Sequence, residues 1–82
     1  MILNMLLIIT KKTDVPNLKE SQAYIGGYVE ALHLPNGDML LFDEDGKYKE
    51  LDINIEASKL ATIQIVGNAI LIPKKLLKGT WI

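Results

Sequence analysis

The stretch from Asn17 to Leu34 constrains the fold of this chain more than any other part of it. Asn17 is a good helix N-cap, and Glu20 at N3 is placed to complete a capping box. The helix predicted from there runs through Leu18, Gln22 and Ile25 into Gly26-Gly27. Gly26 is the natural C′ residue, because without a Cβ it takes a positive φ at little cost. A helix of about two turns gains little from propensity, so packing must hold it. Beyond the glycines, Tyr28 to Leu34 alternates imperfectly and reads as a strand. Pro35-Asn36-Gly37-Asp38 then predicts a tight hairpin, in which Asn36-Gly37 supplies both positive φ angles of a type I′ turn.

The remaining segments extend that hairpin into a small sheet. Leu3 to Thr10 reads as a first strand, which Pro16 prevents from continuing. Met39 to Asp43 is the strand returning from the hairpin. Glu44-Asp45-Gly46 is a second turn, and Lys47 to Leu51 a shorter, more polar strand that completes a meander. Asn54 can cap a short helix over Ile55 to Leu60. Thr62 to Val66 alternates as a strand, Gly67-Asn68 is a two-residue turn, and Ala69 to Pro73 is the strand coming back. Lys74 to Ile82 has room for one helical turn before Gly79. The expected fold is α+β: a small antiparallel sheet, twisted or barrel-like, with one or two short helices in the order β-α-β-β-β-α-β-β.

At 82 residues the chain is one domain. Such a domain buries roughly 60–65% of its unfolded surface, which leaves it marginal alone. Hydrophobic residues reach 49% and cysteine is absent, so no disulfide or thiolate metal site helps. Burial of excess apolar surface in a homo-oligomer would add the missing stability. The apolar run before Thr10 lacks the basic flank and small-residue cleavage site of a signal peptide. It also falls short of the ~20 residues that span a bilayer. A soluble, cytoplasmic protein is expected.

Net charge is −1, but the charges are segregated. From Asp38 to Glu56 seven acids face Lys47 and Lys49, whereas from Ala57 onward there are four lysines and no acid. All nine basic residues are lysine. Without arginine the chain lacks the bidentate fork that reads phosphate and guanine, and with a pI of about 5.7 it lacks a basic field, which argues against nucleic acid.

Candidate chemistry is sparse. Gly26-Gly27 follows a helix, whereas a phosphate loop needs strand, glycines and then helix. The pair reads as a helix stop, or as room for close backbone approach by a partner. In Asp43-Glu44-Asp45-Gly46 the glycine sits at position four, not at the sixth position of a calcium loop, so a solvated turn is expected and no metal site. His33 is the one histidine and has no companions for a triad or a metal. Glu30 stands out within an apolar strand, on the face shared by Tyr28 and Leu32. If that face is core, Glu30 is a buried carboxylate that needs a partner. If it is solvent, Glu30 is an ordinary surface residue, and charged residues favour that reading. Trp81 follows Lys74, Lys75 and Lys78, and an indole there is expected to pack on its own core or on another subunit.

From Gln22-Ala-Tyr-Ile-Gly-Gly-Tyr-Val-Glu30 onward the sequence resembles a family of small uncharacterised domains, frequent in phages and phage-related bacterial genes, that share a Q-x-x-V-G-G-x-I-E core. The similarity continues through Leu34 to Asp38, Phe42 to Gly46, Leu51 to Asn54 with Ala57, and Ile65 to Ala69. Ile25 and Val29 stand where the family usually has Val and Ile. The resemblance singles out Gln22, Gly26, Gly27, Glu30, Glu44, Gly46 and Asn54, and it implies a domain of unknown function.

The sequence therefore predicts a non-enzymatic accessory protein that works as a homo-oligomer and binds a host or phage protein, without a cofactor or membrane. The expected ligand or partner contacts are Gln22, Gly26, Gly27, Glu30, Asn54 and Trp81. The competing expectation is a small-ligand or nucleotide binder with a pocket near Gly26-Gly27, Glu30 and Asn54.

Overall fold

The computed structural model describes residues 4–82. Its strands are β1 (Leu6–Ile8), β2 (Val29–His33), β3 (Met39–Asp43) and β4 (Ala69–Ile72), and its helices are α1 (Leu18–Ile25) and α2 (Ile55–Ala61). They form one open, mixed, four-stranded sheet in the order β1-β4-β3-β2. β2, β3 and β4 are antiparallel neighbours, while β1 runs parallel to β4. The α+β class stands, but the sheet is neither wholly antiparallel nor closed into a barrel.

Burial explains this order. Every residue of β4 and all of β3 but Phe42 are buried, so these strands carry near-continuous apolar runs and lie at the centre. β1 and β2 have exposed positions and form the edges. Ile25 of α1 packs on one face with Ile9, Met39, Leu41, Ile70, Ile72 and Leu76. On the other face Ala57 and Ala61 of α2 meet Leu34, Leu40, Ile65, Ala69 and Leu71. The result is a helix, sheet, helix sandwich. Leu40, Leu41, Ile70 and Ile72 are completely buried, each contributing roughly 1.5–3 kcal/mol of transfer energy.

Local signals decide the helix ends. The Asn17 side chain accepts from the Glu20 N–H at 2.7 Å, and the Asn17 N–H donates to Glu20 Oε1 at 2.9 Å, which completes the capping box. Gly26 ends α1 at φ 90°, and Asn54 caps α2 by accepting from the Ala57 N–H. Lys74–Leu76 makes a single 3-10 turn before Gly79, and Lys12–Asp14 makes another ahead of Pro16.

Four expectations need correction. The hairpin between β2 and β3 closes through a three-residue loop and not a type I′ turn. Its Leu34 N–H donates to Asp38 O at 2.8 Å and its Gly37 N–H to Leu34 O at 2.9 Å. Only Gly37 has positive φ there, because Asn36 Oδ1 accepts the Asp38 N–H at 2.9 Å and holds Asn36 in the ordinary region. Second, Lys47 to Leu51 is not a strand. The Lys49 N–H donates to Asp45 O and the Leu51 N–H to Gly46 O, which coils the segment into consecutive turns.

Third, Thr62 to Val66 forms no strand and Gly67-Asn68 no hairpin; only Ile53 and Val66 make an isolated bridge. The Ser58 hydroxyl accepts the Ile65 N–H at 2.8 Å and donates to Ile65 O at 3.1 Å, so the segment is tied to α2. Both edges of β4 are already occupied, by β1 and β3. The element order is thus β-α-β-β-α-β. Fourth, the first strand is shorter than expected and begins at Leu6. Leu3 lies outside the described residues.

Candidate functional site

The carboxyl end of β3 is the most elaborated corner of the molecule. Asp43 sits there with a side chain only 1% exposed. A buried carboxylate must be paired or hydrogen-bonded. Asp43 Oδ1 accepts the Asp45 N–H at 2.8 Å, and Oδ2 accepts from Lys49 Nζ at 2.7 Å. The same ammonium donates to Gly26 O at 3.2 Å. Lys49 thereby straps the 44–50 turns onto the end of α1. Asp43–Lys49 is the only ion pair among the described residues.

This strap explains the second glycine. Gly26 alone satisfies the helix stop. A Cβ on Gly27 would collide with the Lys49 ammonium and lie 3.2 Å from Asp43 Oδ2. The close approach that two glycines permit is made by the chain's own ion pair. Asp43 was read from the sequence as part of a solvated acidic turn, and Lys49 did not stand out. The available signal was a second glycine that helix termination does not require.

The turns form one wall of a groove of about 500 Å³. Phe42, Ile63, Ile65 and Val66 supply its apolar surface, and Glu30, Glu44, Lys47 and Tyr48 supply polar groups around it. Ile63 and Gln64 also line an adjoining depression of about 410 Å³ with Ile53 and Ile55. A separate cleft of about 380 Å³ brings together Gln22, Gly27, Tyr28, Asp45 and Lys49.

The sequence-derived residues fall into three places. Gln22 and Gly27 share the small cleft, while Gly26 lends only its carbonyl to Lys49. Glu30 is exposed and lines the large groove with Glu44. Gly46 is buried inside the turns. Asn54 lies elsewhere, 2% exposed, and lines none of these cavities. Its amide donates to Gly67 O at 2.8 Å and Met5 O at 3.1 Å, so it ties α2 to β1. Trp81 donates its indole N–H to Pro16 O at 2.8 Å and remains 43% exposed. Among the described residues, no group of three or more His, Asp or Glu side chains is placed to hold a metal ion. No helix among them is long and apolar enough to cross a membrane.

A small layered α+β domain with a groove at one corner of its sheet is the class these features define. Residues 5–75 match the family described as domain of unknown function (DUF3846), and the protein belongs to that family. No curated protein and no solved structure matches the chain.

Proposed function

We propose that the protein is an accessory factor of the phage type that acts in the host-cell cytoplasm by binding, not by catalysis. It self-associates, and its apolar surface engages a protein of the host or the phage. The observation that carries this reading is the exposed apolar surface around the two adjoining grooves. Ile53, Ile55 and Ile63 are 53%, 64% and 53% exposed, and Tyr48 is 89% exposed. Contiguous apolar surface on a small domain marks an interaction site more often than a bare monomer. The Gln22 to Glu30 core and the all-lysine basic complement support the phage association. Light scattering across a concentration series is expected to give a mass above 9.2 kDa that rises with concentration. A strict monomer at high concentration would remove the proposal.

The small cleft favours a second reading, in which the protein binds a metabolite or nucleotide. Gln22 and Gly27 meet there beside the Lys49 ammonium. A ligand at 100 times its Kd adds about 2.7 kcal/mol, so a thermal-shift screen of metabolites and nucleotides should register it. A screen without a hit would exclude this reading.

A further inference from the structure

The two ends of the sheet carry opposite net charge: Lys47 and Lys49 are outnumbered by five acids from Asp43 to Asp52, and Asp38, which accepts the Lys74 N–H, by the three lysines from Lys74 to Lys78. Because β3 and β4 are antiparallel, with Met39 opposite Ile72 and Phe42 opposite Ala69, Asp43 to Asp52 emerge at one end and Lys74 to Lys78 at the other. The Lys12 ammonium reaches the carbonyl of Leu76 at 3.0 Å and that of Lys78, so it joins the lysine end. Glu30 and Glu44 beside the groove have no ionic partner among the described residues, and neither do Lys75 and Lys78. Trp81 shares a shallow cavity with Lys12 and Glu20 and is 43% exposed.

A groove with an apolar surface, two unpaired carboxylates and the single lysine Lys47 thus occupies one end, and a lysine segment with a half-exposed indole occupies the other. One copy cannot bring them together, because they extend from opposite ends of the same strands. We infer that the groove of one copy receives the exposed Lys75, Lys78 and Trp81 side chains of a second copy's Lys74–Trp81 segment, in a head-to-tail contact. This rests on the self-association proposed above and specifies its geometry. Such a contact is heterologous: each copy retains a free groove and a free segment, so association continues into rings or filaments. The apolar contact of Trp81 with Phe42, Ile63 and Val66 supplies attraction, and the lysine–carboxylate pairs set orientation and salt dependence.

The test compares the wild type with two double variants, Glu30→Lys/Glu44→Lys and Lys75→Glu/Lys78→Glu, by sedimentation velocity. All four positions are exposed, and unchanged circular dichroism checks that each variant folds. The inference expects each variant to self-associate at least about tenfold more weakly than the wild type. An equimolar mixture of the two should recover species larger than either forms alone, because an intact groove then meets an intact segment. Wild-type association should weaken between about 0.1 M and about 1 M salt, as the Debye length falls from about 10 to about 3 Å. Undiminished association of both variants would overturn the head-to-tail contact but leave self-association standing, with the edges of β1 or β2 as the interface. Weakened variants that the mixture fails to recover would also overturn it, and a monomeric wild type would remove both proposals.

Discussion

The two faces of the sheet are built from the same strands and end up covered to different degrees. On the α1 side, large residues fill the layer: Ile9, Met39, Leu41, Ile70 and Ile72 meet Ile25, and the Lys74–Leu76 turn adds Leu76. Tyr24, Val15, Leu77 and Ile82 close its margin. On the α2 side, small side chains at 57, 61 and 69 pack with Leu34, Leu40, Ile65 and Leu71. Small side chains cover little area, and Phe42 and Leu32 remain partly buried there. Ile53, Ile55, Leu60 and Ile63 stay exposed around that helix. The open corner is the groove. A small helix seated on alanines secures one patch of a sheet and leaves the next patch available for a partner.

The sharpest way to break this comparison is truncation of neighbouring residues on opposite faces of β3. Leu41→Ala removes a fully buried side chain and should cost about 2–5 kcal/mol in denaturant unfolding. Phe42→Ala removes a larger side chain but from the open corner, and should cost less than Leu41→Ala. Equal losses would mean that the groove side is as well packed as the other, and the contrast would fall.

Asn54 is the next largest effect, because its buried side chain both caps α2 and bonds to the backbone at the start of β1. Asn54→Ala removes a helix cap worth about 0.5–2 kcal/mol. It also leaves the carbonyl of Gly67 without its donor, at about 1–3 kcal/mol for a buried group, whereas Met5 O keeps the Ala69 N–H. The sum should exceed that of Asn17→Ala, which removes an exposed cap of about 1 kcal/mol on α1. Urea midpoints for the two variants measure the difference.

A third comparison sets the strap against its spacer. Gly27→Ala should expel Lys49 from Asp43 and destabilise the protein by about 1–3 kcal/mol. In a Lys49→Ala background the same change should cost much less, because the colliding ammonium is gone. Contacting residues show coupling of about 0.5–3 kcal/mol in such cycles. Additive losses would show that Gly27 serves some other contact.

These contrasts also separate what the chain reveals locally from what it conceals. Asn17, Glu20, Gly26 and Asn54 could be read directly, because a cap and a helix stop involve neighbours in sequence. Met39 to Asp43 was legible for the same reason. The fates of Lys47 to Leu51 and Thr62 to Val66 were not, since each depended on whether a strand edge was free. β4 occupies the edge of β3 that a meander would have used, and Ser58 captures Ile65. The missed signal was that Met39 to Leu41 and Ala69 to Ile72 do not alternate, as strands buried on both faces need not. At the candidate site, Glu30 and Gly27 were visible as unusual residue types. The Asp43–Lys49 strap was not, because an acid and a lysine in a polar stretch look like ordinary solvated charges.

Glu30 gives the smallest expected effect and isolates binding from folding. Its strand is an edge, its side chain is exposed, and it pairs across the ladder with half-buried Phe42. Glu30→Gln keeps the shape and removes only the charge, so unfolding free energy should change by no more than about 0.5 kcal/mol, as at other surface sites. A larger loss would mean that the carboxylate serves the fold, and the α2 side would then be less open than its exposed isoleucines indicate. An unchanged fold makes any altered self-association of this variant attributable to the groove itself, which is the property that distinguishes this face of the sheet from the one beneath α1.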